Sequence, residues 1–327
     1  MYDSFVLLSE VVLSAYPILI KQVKASVFFQ TGLRMAIFTV LAAGAAAATG
    51  SPLAAAGLWS TESIATGLLN LVHVGTSYTA FEQLPAGNAM ALFYTYPIFN
   101  LLGAAALLGE SIPLANLPWM AVAFAGALLL AQPTPKNWTL VGVVCALLAA
   151  LTETGIYLWF KNSAKLNSTD KAKPTVKNSA KEEAKVDAKV EAKEGFTEVN
   201  PDDAEIDAQP WTKMIQLYGS SGALWALVAL VLGFAGFLAK DTFRISLGGL
   251  SVIALFNAFV GFAGYALRFY LIPRVSTVVF SVLSFFGVVS AYGLGWLFQN
   301  EIPTLTQMAG AVAIIVANGI LMSRENS

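Results

Sequence analysis

Outside one tract, this chain carries almost no charge. Residues 161–213 hold 10 of its 19 Lys and Arg and 11 of its 20 Asp and Glu, which leaves 9 basic and 9 acidic side chains for the other 274 residues. A soluble domain has about a quarter of its residues charged, and it needs them to cover its surface in water. The chain is also 57% hydrophobic, with a mean hydropathy of +0.66. A polypeptide of this kind folds by covering itself with lipid. It reads as an all-α, polytopic membrane protein.

A helix needs about 20 mostly apolar residues to cross the hydrocarbon core. Ten such spans are read, at about 5–22, 28–48, 62–83, 86–108, 115–132, 138–160, 212–237, 248–270, 275–298 and 303–322. Turn chemistry marks the connections, as at Gly50-Ser51-Pro52 and Pro133-Thr134-Pro135. The runs are continuously apolar rather than alternating, which argues against a β-barrel. Only four residues precede the first span, with Asp3 and no basic residue among them, so the span is expected to be retained as a signal-anchor. Cys145 is the only cysteine, so no intrachain disulfide can form.

The charged tract reads as a solvated, disordered loop at 161–211. Lys181, Lys185, Lys189 and Lys193 recur every four residues, a spacing that stacks like charges and buries nothing. Placing both termini and this loop on one side puts seven basic residues near span ends there and five on the other. By the positive-inside rule, that side is expected to be cytoplasmic.

A pattern of residues occurs twice. Asn70, Tyr78, Pro85 and Glu110 return as Asn257, Tyr265, Pro273 and Glu301, with the Asn–Tyr spacing 8 in both copies. Each Glu is followed within three residues by Ile-Pro (Ile112-Pro113 and Ile302-Pro303). The halves divide near Pro133-Thr134-Pro135, giving a first five-helix repeat over 1–134 and a second over 135–327. An odd number of spans per repeat inserts the second copy upside down relative to the first. Inverted repeats around a midplane site are a ground plan of secondary transporters.

The stretch from Ala80-Phe81-Glu82-Gln83-Leu84-Pro85 through Leu92, then Tyr96-Pro97-Ile98-Phe99 and Gly109-Glu110, resembles the EamA-type drug/metabolite transporter superfamily. In that family a helix with a central Pro follows a short turn and ends in Gly-Glu. Arg34, Lys21 and Pro17 fit its pattern too. The second half departs from it, with Phe285 in the place of Pro97 and Asn300 rather than Gly before Glu301. The resemblance implies transport by alternating access. It says little about cargo, because the family's members move sugars, nucleotide-sugars, amino acids, phosphorylated metabolites and cationic drugs.

Polar residues inside spans are costly, and they usually face an internal cavity. Glu10 and Glu153 occupy similar depths in the two repeats. They can bind a cationic group or carry a coupling proton, or instead serve as structural partners for Arg34 or Arg268. Arg34 and Arg268 are candidate anion readers, since a guanidinium fork matches carboxylate and phosphate. Arg268, near a span end, is expected to snorkel to the interface. His73 can act as a proton relay, a substrate contact or a helix–helix hydrogen bond. Asn70 with Tyr78 and Asn257 with Tyr265 are matched polar pairs that either meet near a pseudo-twofold axis or supply packing polarity. Tyr94, Tyr96 and Asn100 flank Pro97, which loosens its helix and suits a gate or site wall.

Other classes fit less well. Gly219-Ser220-Ser221-Gly222 spells the motif of an intramembrane serine protease, but the only histidine, His73, lies far upstream. No Asp lies inside a span and there is no HExxH, so neither an enzyme nor a cofactor is expected. A non-transporting membrane protein is the remaining alternative. Ala121/Ala125 and Ala309/Ala313/Ala317 have small-residue spacing suited to close packing, within the chain or in a homodimer. The expected partners are a small-molecule substrate and the lipid bilayer, with no nucleic acid.

Overall fold

The computed structural model describes residues 2–51, 57–131, 138–172, 210–300 and 302–325, and among these it is all helical. The first half comprises α1 (Tyr2–Leu13), α2 (Tyr16–Gln22), α3 (Val27–Ala48), α4 (Thr61–Gln83), α5 (Ala86–Phe93), α6 (Tyr96–Leu108) and α7 (Leu117–Ala131). The second comprises α8 (Leu140–Ala172), α9 (Trp211–Phe234), α10 (Leu247–Leu255), α11 (Phe262–Leu271), α12 (Thr277–Ser284), α13 (Phe286–Gln299) and α14 (Leu305–Glu325). A π-turn over Phe256–Gly261 joins α10 to α11.

Among the described residues, eight helical stretches are long and apolar enough to cross a membrane, and Leu114–Leu130 is apolar but shorter. The 23-residue α4 is not one of the eight. The reason is physical: its Ser63, Thr66, Asn70, His73 and Ser77 are buried inside the bundle, so its polarity faces protein rather than lipid. Large apolar side chains elsewhere point outward, among them Val40, Leu107, Phe234, Leu247 and Leu305. Two boundaries differ from the sequence reading. Helix α8 continues past 160 to Ala172, and four expected spans carry a helix break or π-turn. Most of the expected loop, 173–209, and the Pro133-Thr134-Pro135 division lie outside the described residues.

Serine hydroxyls cap the starts of α3, α4, α10 and α12 by accepting a backbone N–H three residues on. Such a cap contributes about 1 kcal/mol. Helix α6 ends at Gly109 (φ 67°) and α13 at Asn300 (φ 54°), both left-handed. Asn is the next-best residue after Gly for that conformation, so the departure from Gly-Glu in the second half preserves the same helix stop. The small-residue seam lies between α7 and α14 but in a different register from the one expected. Ala121 and Ala125 are exposed, while Ala123, Gly126 and Ala127 are buried against α14 around Gly310, Ala313 and Ala317. A Cβ on Gly126 would stand 2.7 Å from the Gly310 carbonyl oxygen.

Gly126→Val should therefore cost about 1–3 kcal/mol through overpacking. This would be read as a lower thermal midpoint of detergent-solubilised protein. Gly44→Val, where a Cβ meets nothing within 4 Å, should leave the midpoint unchanged.

Candidate functional site

The site forms where helices break. The first span gives way at Ser14 and Ala15, ahead of Pro17, and the fourth at Tyr94 and Thr95, ahead of Pro97. Proline has no N–H to donate, and its ring crowds the preceding turn. The α12–α13 break at Phe285 has no proline. There the Ser284 hydroxyl donates back to the Phe280 carbonyl (2.8 Å), a local bond that bends helices.

These breaks converge on Glu10, which is 0% exposed. Tyr94 Oη donates to Glu10 Oε2 at 2.5 Å and Tyr96 Oη to Oε1 at 3.4 Å, while Ser284 Oγ lies 3.1 Å from Oε1 and shares its single hydrogen between that oxygen and the Phe280 carbonyl. Residues two apart on a continuous helix point to different faces, so Tyr94 and Tyr96 reach one carboxylate only because the helix is interrupted between them. Gly287 completes the fit, since a Cβ there would collide with the Tyr94 hydroxyl.

Arg268, on α11, lies between two acids from different helices. Its Nη1 donates to Glu10 Oε1, its Nε donates to Glu153 Oε1 at 2.9 Å, and its Nη2 pairs with the same oxygen at 2.8 Å. Arg268 is 2% exposed, and the guanidinium also stacks on Tyr96 (5.0 Å) and Phe280 (5.1 Å). The expected interfacial position is thereby corrected. The two carboxylates draw Arg268 inward, and snorkelling would leave both without a cation. His73 completes the cluster with Nε2 3.3 Å from Glu153 Oε2.

Arg34 is buried without a carboxylate. It is 1% exposed, and no acid of the described residues lies within ion-pair distance. Five rings surround it instead: Tyr265 (4.4 Å), Tyr16 (4.9 Å), Phe38 (5.1 Å), Tyr78 (5.7 Å) and Tyr218 (6.0 Å). Arg34 Nε and Nη2 and the hydroxyls of Tyr78 and Tyr218 have no hydrogen-bond partner of good geometry among the described residues. The cage offers the guanidinium aromatic faces and phenolic oxygens but no anionic acceptor. Between it and the Arg268 cluster lies a cavity of about 20 Å³, walled by Glu10, Arg34, His73, Glu153, Tyr265 and Arg268. That volume holds a water or two, not an organic molecule.

The structure thus brings together Glu10, Arg34, His73, Tyr94, Glu153, Tyr265 and Arg268 around one cavity, with Tyr96 and Tyr78 against its arginines. The matched tyrosines meet at Arg34, but the matched asparagines do not meet. Asn70 Nδ2 donates to Ser221 Oγ (2.9 Å), and Asn257 Oδ1 accepts from Tyr16 Oη (3.0 Å). Both serve as helix–helix contacts. Asn100 is buried, with no partner for its amide, and does not line the cavity. Sequence reasoning missed Tyr16, Tyr218 and Ser284. Tyr16 had a signal, because it directly precedes Pro17. Ser221 Oγ lies against the Gly67 and Leu217 carbonyls and takes a bond from Asn70, while the sole histidine faces Glu153. A protease reading has no base to draw on.

Of the remaining acids, Glu82 is exposed and Glu301 lies outside the described residues. Glu110 follows the α6 cap, where Thr277 Oγ1 donates to it at 2.5 Å and Lys161 Nζ stands 3.9 Å away.

Apolar side chains outside and two arginines, two glutamates and a histidine inside define a multi-pass integral membrane protein with a charged centre. Residues 1–132 match the EamA-like transporter family, in keeping with the residues of the first half that carry the resemblance. Two proteins named pseudopaline exporter CntI, from Pseudomonas aeruginosa strains UCBPP-PA14 and PAO1, are each 25% identical over 251 residues, covering 77% of this chain and 71% of theirs. A solved crystal structure shares the fold with a TM-score of 0.66 at 16% identity, covering 99% of this chain and 97% of its own. Together the comparisons support a membrane transporter rather than an enzyme.

Arg268→Ala leaves two buried carboxylates without a cation. It should destabilise the protein by about 3–5 kcal/mol, seen as loss of a monodisperse peak on size-exclusion chromatography. Tyr94→Phe removes one hydrogen bond to a charged group and should cost about 1.5–3 kcal/mol.

Proposed function

We propose that the protein is a secondary carrier that moves a small organic anion, or a molecule with an anionic group, by alternating access. The observation that carries this reading is the Arg34 cage, in which a buried cation has no anionic acceptor among the described residues. Burying a charge without its counter-ion costs several kcal/mol, and a fold keeps such a group where function requires it.

The mechanism rests on ten crossings arranged as two inverted repeats, 1–134 and 135–327. Contacts between helix ends support this count. On one face, Glu62 at the start of α4 accepts from Trp159 Nε1 (2.5 Å) late in α8 and from Lys213 Nζ (3.2 Å) at the start of α9. Arg324 Nη1, ending α14, donates to the Ala115 carbonyl ahead of α7 (3.1 Å). On the other face, Ser26 Oγ, opening α3, donates to the Thr242 carbonyl ahead of α10 (2.6 Å), and Gln307 Nε2, opening α14, donates to the Leu130 carbonyl in α7 (3.2 Å). Alternating crossings put these ends on those faces.

Packing supports the symmetry. α3 lies on α9, α7 on α14, and the broken fourth span on the broken ninth, each beside its own counterpart. α4 on α8 is matched by α1 on α11. We place both termini on the cytoplasmic side, with Lys161, Lys213 and Arg324 at span ends there.

In this conformation the cavity beside the charged centre has room for a water or two only. The carrier opens by moving one broken span against another, first toward one side and then toward the other. The anionic group displaces no carboxylate at Arg34, because no acid of the described residues pairs with it.

Proteoliposomes loaded with a panel of mono- and dicarboxylates and phosphate monoesters should show saturable uptake and counterflow for at least one class. Arg34→Met should reduce that uptake at least tenfold, the size of a lost charge-assisted contact. The same variant should melt at or above wild type, because an uncompensated buried charge is gone. Unchanged transport in Arg34→Met would remove Arg34 from the site.

A further inference from the structure

We propose that His73 and Glu153 together bind one proton, and that this proton and the anionic group at Arg34 are taken up cooperatively. The inference rests on the carrier reading for its purpose but not for its geometry. His73 Nδ1 lies 3.1 Å from the Ala149 carbonyl, one turn before Glu153 on α8. A carbonyl can only accept, so Nδ1 carries the hydrogen. Thr152 Oγ1, 3.4 Å from Nδ1, donates its own hydrogen to a backbone carbonyl and leaves only lone pairs toward the ring. The other ring nitrogen, Nε2, is then a bare acceptor in neutral imidazole.

Facing it at 3.3 Å is Glu153 Oε2, with both side chains no more than 3% exposed. Arg268 engages Oε1, and no donor of the described residues reaches Oε2. Two lone pairs face each other in a place nearly closed to water. One proton between them turns a repulsion into a charge-assisted hydrogen bond. It is shared by the pair and belongs to neither residue alone.

The groups around the pair set the linkage. Glu10 comes from α1, Arg34 from α3, Tyr94 from the break after α5, and Tyr265 and Arg268 from α11, all on the same cavity wall. Phe93 packs on the imidazole ring at 5.8 Å, and Tyr96 of α6 donates to Glu10. With His73 neutral, the two arginines and two glutamates balance. One proton makes the centre net positive, and one anionic charge at Arg34 restores the balance. Each therefore favours the other, and the coupling is reciprocal. The proton needs no room, so a cavity of about 20 Å³ is large enough for the site.

His73 is the only histidine of 327 residues. ¹⁵N-imidazole labelling of the full chain in nanodiscs therefore gives one spin system, and no cargo is needed. Titrated from about pH 9 down to pH 4, Nδ1 should be protonated throughout, while Nε2 passes through a single one-proton transition. Glu153→Gln should move that transition by about one pH unit or more. Should that variant not fold, the wild-type titration alone decides the site, because a neutral Nε2–H tautomer or a signal static across the range overturns it. Arg34→Met imitates neutralisation by an anion and should move the midpoint to higher pH by about half a unit or more. An unmoved midpoint in a folded Arg34→Met protein overturns the linkage. Absence of saturable uptake would end the carrier reading and leave the imidazole titration untouched, so the two failures are distinguishable.

Discussion

One guanidinium holds the centre of this protein together. Arg268, on α11, bridges Glu10 of α1 and Glu153 of α8. In a low-dielectric interior, each of these groups is tolerable only while its partners stay within a few ångströms. The breaks between α1 and α2, α5 and α6, and α12 and α13 serve that demand. They turn Tyr94, Tyr96 and Ser284 toward a single carboxylate that a regular helix could not serve from those positions. Charge, helix interruption and side-chain direction are thus one arrangement.

Arg34 obeys the opposite logic. Its rings offer it quadrupoles instead of a carboxylate, and cation–π contacts contribute roughly 0.5–2 kcal/mol each where a salt bridge would neutralise it outright. The two arginines, equally buried, divide the labour. Arg268 is paired with two carboxylates, while Arg34 stands beside the same cavity without one among the described residues.

Much of this was legible in the residues. Scarcity of charge gave the class, apolar length gave most of the helices, and the recurring Tyr78 and Tyr265 pointed to the cage around Arg34. Asn300 looked like a departure from Gly109, but backbone dihedrals show the two doing the same job. Other features depend on distances no sequence states. Arg268 reads as an interfacial residue until two acids from other helices are seen to reach it. The break at Phe285 has no proline to announce it, only a serine hydroxyl bonding back along its own helix. Asn70 and Asn257 look like a matched pair by spacing, yet each bonds a different neighbour, because helix rotation is set by packing rather than by position in the chain.

The seam at Gly126 and Gly310 bears on how such a molecule could move. Two helices that touch main chain to main chain have no side-chain cushion between them to compress or repack. Any rocking of one half against the other must keep that line fixed and turn about it. On the carrier proposal the α7–α14 pair would serve as the pivot, with the displacement growing with distance from it.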